Sequence, residues 1–257
     1  MRLTPISFVL LAVSVPASIS SGASAPASQH TGPIPADSKQ LLLVTSPNWS
    51  ATAGLAQRFE RSPQSPHWHG VGEPLHVNLG RHGMAWGRGL HQPERGPIKR
   101  EGDGRTPAGV FPLGSLFGYA DKPPETAAGS FPYIHIQAGT ECVEDPRSPL
   151  YNRIVASRPK GAMLRADGVF RLGFVIEQNA PEAIPGAGSC VFFHVQRGPA
   201  QATSGCTSAS LPDLESLVSW LEPKSKPLLV QLPQEEYRRL RKDWALPPQL
   251  PEAHPGD

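Results

Sequence analysis

The runs CVFFHV at residues 190–195 and ATSGCT at residues 202–207 are the most informative parts of this chain. The first run combines β-branched and aromatic residues, which is typical of a buried strand, and it carries His194. The second run places the thiol of Cys206 directly after Gly205, a residue that allows the backbone to turn tightly. A strand that is followed by a returning loop can bring His194 and Cys206 within hydrogen-bonding reach.

His194 and Cys206 have the chemistry of a nucleophile and its base. A cysteine attacks a carbonyl as its thiolate, and a neighbouring histidine can accept the thiol proton and later return it to a leaving amine. The backbone amides of Ser204, Gly205 and Cys206 can converge on the oxyanion that forms. The residues alone also allow a plainer interpretation, in which His194 is a hydrogen-bonded core residue and Gly205 belongs to an ordinary turn.

The composition predicts a mainly β domain. The chain has 257 residues with 30 prolines and 25 glycines, which favour turns and short elements over long helices. Apolar or alternating runs predict strands that include residues 40–44, 74–80, 109–113, 169–176 and 227–232. One helix is predicted after the cysteine, with Ser210 as its N-cap, because apolar residues recur at helical spacing over 214–221. The pattern of residues 48–61 does not distinguish a helix from a strand.

The N-terminal region has the pattern of a secretory signal peptide, which we assign to residues 1–25. Its apolar stretch, residues 6–15, is too short to span a bilayer in the mature protein, and small residues follow it. An uncleaved anchor is the alternative. We expect a periplasmic or otherwise exported protein without stable membrane insertion after cleavage. The expected organisation beyond the signal is a flexible leader over 26–40, one folded domain over 41–233, and a C-terminal tail over 234–257 that begins with a short surface helix.

Charge and ligand spacing argue against two other functional classes. The net charge of +2 gives no electrostatic reason to expect a nucleic-acid partner. His67 and His69 are the nearest pair of metal-ligand type, but the chain has neither CxxC nor HExxH spacing. We therefore expect no metal site and no nucleic-acid partner, and we place His67 and His69 in an exposed loop. Thiol catalysis by Cys206 and His194 needs no cofactor, and we expect none.

The chain resembles the YkuD-type L,D-transpeptidases, in particular the branch of the ErfK/YbiS/YcfS/YnhG type. The active-site signature of that family is a histidine followed by a Ser/Thr-x-Gly-Cys run, which His194 and residues 203–206 match. The resemblance extends over about residues 41–233. The further runs that support it are GRGLH at 87–91, KREGDGRTPAGVF at 99–111, YNR at 151–153 and PGAGSC at 185–190.

The resemblance implies a YkuD-like catalytic domain that is mainly β, sandwich-like or barrel-like, with a few short helices. It implies that Cys206 is the acylated nucleophile and His194 the base, with the carbonyl of Val195 orienting the imidazole. Thr203 and Gly205 match the threonine and the glycine of the motif.

Two positions depart from the family pattern. Ser204 stands where many members have histidine, and Ser208 stands where many have arginine. These departures leave the nucleophile and the base in place, but they bear on oxyanion geometry and on donor recognition.

The resemblance also implies a substrate, the stem peptides of peptidoglycan. Cys206 would attack the diaminopimelate carbonyl of one stem and expel its terminal D-alanine, and an amine of a second stem would resolve the thioester into a cross-link. Water in place of the amine would make the protein an L,D-carboxypeptidase or an amidase. A catalytically silent cell-wall-binding module is the alternative from a different class. We expect a monomer.

Candidate substrate-binding residues lie both near the cysteine and far from it along the chain. Arg153 or Arg105 could pair with a peptide carboxylate, while hydrogen bonding within turns is the structural alternative. The complete set of candidates is Thr203, Thr207, Tyr151, Asn152, Arg153 and Arg105.

The chain contains three cysteines, an odd number for an exported protein. Cys190 lies four residues before His194 and so points to the same side of an ideal strand, while Cys142 begins another motif-like run. We predict a Cys142–Cys190 disulfide that leaves Cys206 free. Three free, buried thiols are the alternative.

Overall fold

The structure is a computed structural model that describes Met1 and residues 32–62, 64–125, 131–156 and 163–247. Apart from Met1, the predicted signal peptide lies outside the described residues, and so does the chain after Pro247. The described part is mainly β with two α-helices, which confirms the predicted fold class.

The elements follow one another along the chain with short connections in most places. The strands are β1 (Gln40–Ser46), β2 (Ala53–Ser62), β3 (Ser65–Asn78), β4 (Met84–Trp86), β5 (Thr106–Gly118), β6 (Tyr133–His135), β7 (Glu141–Cys142), β8 (Ile154–Val155), β9 (Leu172–Ile176), β10 (Phe192–Val195), β11 (Thr207–Ala209) and β12 (Leu228–Pro233). The helices are α1 (Leu211–Trp220), a short 3-10 helix (Pro223–Ser225) and α2 (Gln234–Leu240). The undecided region 48–61 therefore contains most of a strand, β2.

Eight of these strands close into a barrel. Neighbours follow the order β12–β1–β2–β3–β11–β10–β9–β5, and β12 also pairs with β5, which completes the ring. Strand β5 can serve both neighbours because its residues 109–112 pair with β12 and its residues 113–118 pair with β9. A register shift between Leu113 and Leu116 marks the change of direction. Of the two architectures that the sequence allowed, the structure has the closed sheet.

The barrel core is built from strands that are buried throughout and from one amphipathic helix. All seven residues of β1 and all six of β12 are buried. Helix α1 begins at the predicted cap, where the Ser210 hydroxyl accepts the N–H of Asp213 at 3.2 Å. Its buried residues Leu214, Leu217 and Val218 each contribute about 1.5–3 kcal/mol through burial. Helix α1 follows β11 directly and so helps to hold the segment that carries the cysteine.

Two local expectations differ from the structure. His67 and His69 lie in β3 and not in a loop, and their exposed side chains alternate with the buried Trp68, as a strand with one inward face requires. Helix α2 is not confined to the surface, because Tyr237 and Leu240 are buried in the main core. Two apolar residues three apart give too weak a periodicity to reveal that packing from sequence. Within the described residues no helix is both long and apolar enough to cross a bilayer.

Candidate active site

The pairing of β10 with β11 brings His194 and Cys206 together. The two strands are parallel, and His194 lies opposite Ser208 in their register. Side chains two residues apart point to the same face of an extended chain, so Cys206 faces the same side as Ser208 and His194. All three side chains line one cavity of about 280 Å³.

His194 is buried and is held in one tautomer. Its Nδ1 lies 2.9 Å from the carbonyl oxygen of Val195. A carbonyl oxygen can only accept, so Nδ1 carries the proton of the neutral imidazole and Nε2 is left unprotonated and able to accept a proton. Burial lowers the pKa of His194 to about 4, although the hydrogen bond to Val195 acts in the opposite direction. Phe170 packs edge-on against the ring, with centroids 5.2 Å apart, and adds to its apolar surroundings.

Cys206 is a protonated thiol at neutral pH. Burial raises its pKa to about 11, and its Sγ lies 3.6 Å from the carbonyl oxygen of Cys190. A backbone hydrogen bond from Phe192 and the positive charge of Lys99 favour the thiolate, whereas the carboxylate of Glu144 disfavours it. The resting pair is therefore neutral thiol and neutral imidazole.

Two threonine hydroxyls fix the backbone at the thiol. Thr203 Oγ1 donates to the carbonyl of Cys206 at 2.6 Å, and Thr106 Oγ1 donates to the same oxygen at 2.8 Å. Thr203 Oγ1 also accepts the N–H of Gly205 at 3.1 Å. Gly205 has a φ of 136°, a conformation that suits glycine and strains other residues. The hydrogen bond to Thr203 occupies the Gly205 amide, so of the three amides that the sequence analysis considered, those of Ser204 and Cys206 remain candidates.

Thr106 is a site residue that the sequence analysis did not single out. It is fully buried, and its hydroxyl accepts the N–H of Gly80 at 2.8 Å while it donates to Cys206. Thr203 is tied to the same region, since its N–H donates to the carbonyl of Leu79 at 2.8 Å. The turn that carries the thiol is thereby fastened to the start of β5 and the end of β3. The only sequence signal for Thr106 was its place inside the run at 99–111.

A comparison with protein-family models matches residues 70–230 to the YkuD model, whose description is the L,D-transpeptidase catalytic domain. The match covers more than half of the chain and includes both His194 and Cys206. The chain belongs to the YkuD family. A search of curated proteins and a search of solved structures each found no match.

The two departures from the YkuD pattern have different surroundings. Ser204 is exposed at the mouth of the cavity. Ser208 is only 1% exposed, and its Oγ has no hydrogen-bond partner among the described residues. A buried hydroxyl needs a partner, and the cavity that Ser208 lines is where a water molecule or a substrate group can supply one.

Three of the predicted substrate-binding residues lie away from the cavity of the YkuD cysteine. Tyr151, Asn152 and Arg153 border a second, polar cavity of about 520 Å³. Asn152 connects it to the site, because its side-chain oxygen accepts the N–H of Cys190 at 2.8 Å. Tyr151 donates to Glu101, and burial together with that bond raises its pKa to about 12. These contacts are those of residues that support the loop carrying Cys190.

Of the remaining candidate substrate-binding residues, one lines the cavity and two do not. Thr203 lines the cavity with the thiol. Thr207 is fully buried and donates to Gln231, and Arg105 donates to the carbonyl of Met84 at 3.0 Å, so both side chains are engaged within the fold.

Three charged side chains that the sequence analysis did not single out line the cavity instead. They are Glu144, Arg165 and Arg197. Burial, together with the charge of Glu101, raises the pKa of Glu144. Arg165 and Arg197 both pair with Asp167. No local pattern marks these residues, because they lie in irregular segments that only the tertiary fold brings beside the cysteine and the histidine.

The structure pairs Cys142 with Cys190 in a disulfide, with their Cα atoms 5.9 Å apart, and leaves Cys206 as a free thiol. Both bridged cysteines line the cavity. The described residues contain no group of three or more His, Cys, Asp or Glu side chains that could hold a metal ion.

Proposed function

We propose that this YkuD domain is a cysteine-dependent L,D-transpeptidase that cross-links the stem peptides of peptidoglycan. The observation that carries the proposal is the placement of the Cys206 thiol and the oriented His194 imidazole in one cavity. The family match supports the reaction class, and the turn held by Thr203 supports the positioning of the nucleophile.

The proposed first step is acylation of the thiol. His194 Nε2 accepts the thiol proton while Cys206 Sγ forms a bond to the carbonyl carbon of the third stem residue, a diaminopimelate. The amides of Ser204 and Cys206 hold the resulting oxyanion. The carbon–nitrogen bond to the terminal D-alanine then breaks, and His194 gives its proton to the leaving amine.

The second step reverses the roles. An amine of another stem attacks the thioester, His194 takes a proton from that amine, and the carbon–sulfur bond breaks. The products are a 3→3 cross-link and the restored thiol of Cys206.

The pKa values constrain the order of events in acylation. Burial raises the pKa of the Cys206 thiol and lowers the pKa of the His194 imidazole. It therefore disfavours both the thiolate and the imidazolium, so a complete proton transfer before attack is unfavourable. The proton therefore moves as the carbon–sulfur bond forms, so His194 acts as a general base in the attack itself.

Hydrolysis of the same thioester is the second candidate, and one observation favours it. The Ser208 hydroxyl is buried beside His194 and unpaired within the described structure. A water molecule bound between Ser208 and His194 would lie beside the base that an attacking water needs. That arrangement would yield an L,D-carboxypeptidase.

We further propose that the enzyme acts outside the cytoplasm as a monomer. The signal-peptide pattern of residues 1–25 and the Cys142–Cys190 disulfide both support export to an oxidising compartment.

The test is to incubate the purified protein with tetrapeptide muropeptides and to analyse the products by mass spectrometry. Cross-linked dimers with free D-alanine support the transpeptidase, whereas shortened monomers alone support the hydrolase. Cys206→Ala should abolish both products, and Ser208→Ala should reduce hydrolysis selectively if Ser208 holds the water. A protein that yields neither product, or that keeps its activity as Cys206→Ala, contradicts the proposal.

A further inference from the structure

The cavity has a cationic side next to His194. Arg165 and Arg197 both line it, and both donate to the carboxylate of Asp167. Arg165 does so through Nε at 2.9 Å and Nη2 at 2.7 Å, and Arg197 through Nη2 at 3.1 Å. We call these three residues the arginine clamp. Two guanidinium groups and one carboxylate leave one net positive charge, and each guanidinium has more N–H donors than its bonds to Asp167 use.

The arginine clamp is held in place by its surroundings. The N–H of Arg165 donates to the hydroxyl of Tyr119 at 3.0 Å. The guanidinium of Arg165 lies 6.0 Å from the ring centre of Phe170, which itself packs on His194. Arg197 follows His194 by three residues, just beyond the end of β10. Both cations therefore lie on the side of the cavity that the base occupies.

We propose that Arg165 and Arg197, positioned by Asp167, bind the terminal carboxylate of the donor stem peptide. The assignment rests on the proposed function, in which the leaving group is D-alanine. Its amine receives a proton from His194, and its carboxylate is attached to the same carbon atom as that amine. A group that recognises this carboxylate must therefore lie beside His194, as the arginine clamp does. The planar fork of a guanidinium matches a carboxylate with two parallel hydrogen bonds.

The electrostatics of the site agree with this role. Burial is the main cause of the lowered pKa of His194; the charge of Asp167 raises that pKa, and the positive charges of Arg165 and Arg197 both lower it. A bound carboxylate would offset those charges and so make the imidazolium easier to form. Occupation of the arginine clamp by the correct donor would thereby assist the proton transfer that expels its D-alanine.

If the arginine clamp were only a structural ion pair, its loss would not change the preference between donors. The chain contains a second ion pair that serves as a matched control. Asp145 and Arg147 form the same kind of pair, two residues apart, with Nε and Nη2 of Arg147 donating at 3.0 and 3.1 Å. That pair does not line the cavity. Exposed pairs of this type contribute little to stability, so substitution of either pair should leave the fold intact.

The experiment compares two donors that differ in charge at one end. One is the tetrapeptide stem, and the other is the same peptide with a terminal carboxamide in place of the carboxylate. The readout is kcat/KM for release of D-alanine or D-alaninamide, with acylation of Cys206 followed by intact mass. We expect the unmodified protein to prefer the acid by about 10- to 100-fold, the value of one charge-assisted hydrogen bond.

The Arg165→Gln/Arg197→Gln variant should lose most of that preference, with the acid and the amide then reacting within about threefold of each other. Arg147→Gln should keep it. Two results for the double variant overturn the assignment: it retains the full preference for the acid, or it reacts more slowly with both donors by the same factor. An unmodified protein without any preference for the acid also overturns it. An unmodified protein in which neither donor acylates Cys206 overturns the proposed function itself, and the assignment with it.

Discussion

The rate at which iodoacetamide alkylates Cys206 should rise tenfold per pH unit from pH 6 to pH 10 without levelling off. Only the thiolate reacts, and burial raises the pKa of this thiol to about 11. His194 does not supply a thiolate at rest, because its own pKa is lowered to about 4 by burial and the imidazole is neutral throughout this range. The slope depends on titration alone, so restricted access to the cavity changes the absolute rate and not the shape of the profile.

The size of the effect follows from the two pKa values. At pH 7 a thiol with a pKa of about 11 is about 10⁻⁴ thiolate, against about 10⁻² for the ordinary value of 9.0. A thiolate of higher pKa is intrinsically more nucleophilic, by roughly sixfold to tenfold for a difference of two units. Cys206 should therefore react about tenfold more slowly at pH 7 than an unperturbed thiol of equal access.

Glu144→Gln provides the directed perturbation. The negative charge of Glu144 raises the pKa of Cys206, so its removal should lower that pKa and speed alkylation at pH 8. Glu235→Gln, on the exposed side of α2, is the control and should leave the rate unchanged. A profile that is flat above about pH 6 would reveal a thiolate–imidazolium pair and would refute the argument that the resting pair is neutral.

Three further predictions concern the support of the site. Thr106→Val should lower the free energy of unfolding by about 1–3 kcal/mol, because it removes the acceptor for the buried N–H of Gly80 and a donor to the Cys206 carbonyl. Urea titration should show that Thr106→Ser is close to the unmodified protein in stability. An equal loss of stability in both variants would contradict this prediction. Burial lowers the pKa of His91 and of His194 to about 4, so the unfolded chain binds more protons between about pH 4 and 6.5. Stability should consequently fall as pH drops through that window, by up to about 3 kcal/mol per histidine, and a stability that is constant from pH 7 to 4.5 would argue against it. Joint replacement of Cys142 and Cys190 by serine should cost about 4 kcal/mol, since the bridge closes a loop across a sequence separation of 48 residues; a midpoint of unfolding that does not move would show that the bridge is absent or without effect.

The parts of the fold that local patterns specify could be predicted from the sequence. The apolar run of β1 and the cap of α1 at Ser210 each depend on residues close together in the chain, and both are present in the structure. The closed barrel could not be chosen over a sandwich, because closure depends on the pairing of β12 with β5, two strands far apart in sequence. The buried face of α2 was missed since it consists of only Tyr237 and Leu240.

The candidate site also combines features that the local sequence specifies with features that depend on the tertiary fold. The strand carrying His194 and the turn carrying Cys206 are both recognisable locally, and the structure places their side chains in one cavity. Charged groups around that cavity were not predictable, because Arg165 and Arg197 reach it from loops whose positions depend on the whole fold. Chemical plausibility pointed to Arg153, which the structure places at the second cavity.

The most direct test of the central claim is to trap the acyl-enzyme. The protein is mixed with a tetrapeptide donor without an acceptor, quenched in acid and analysed by intact mass and peptide mapping. The account predicts one added acyl group that lacks the terminal D-alanine, located on Cys206, and no adduct when His194 is replaced by alanine. D-alanine release without any adduct on Cys206 in samples quenched during the reaction, or an adduct on another residue, would contradict it.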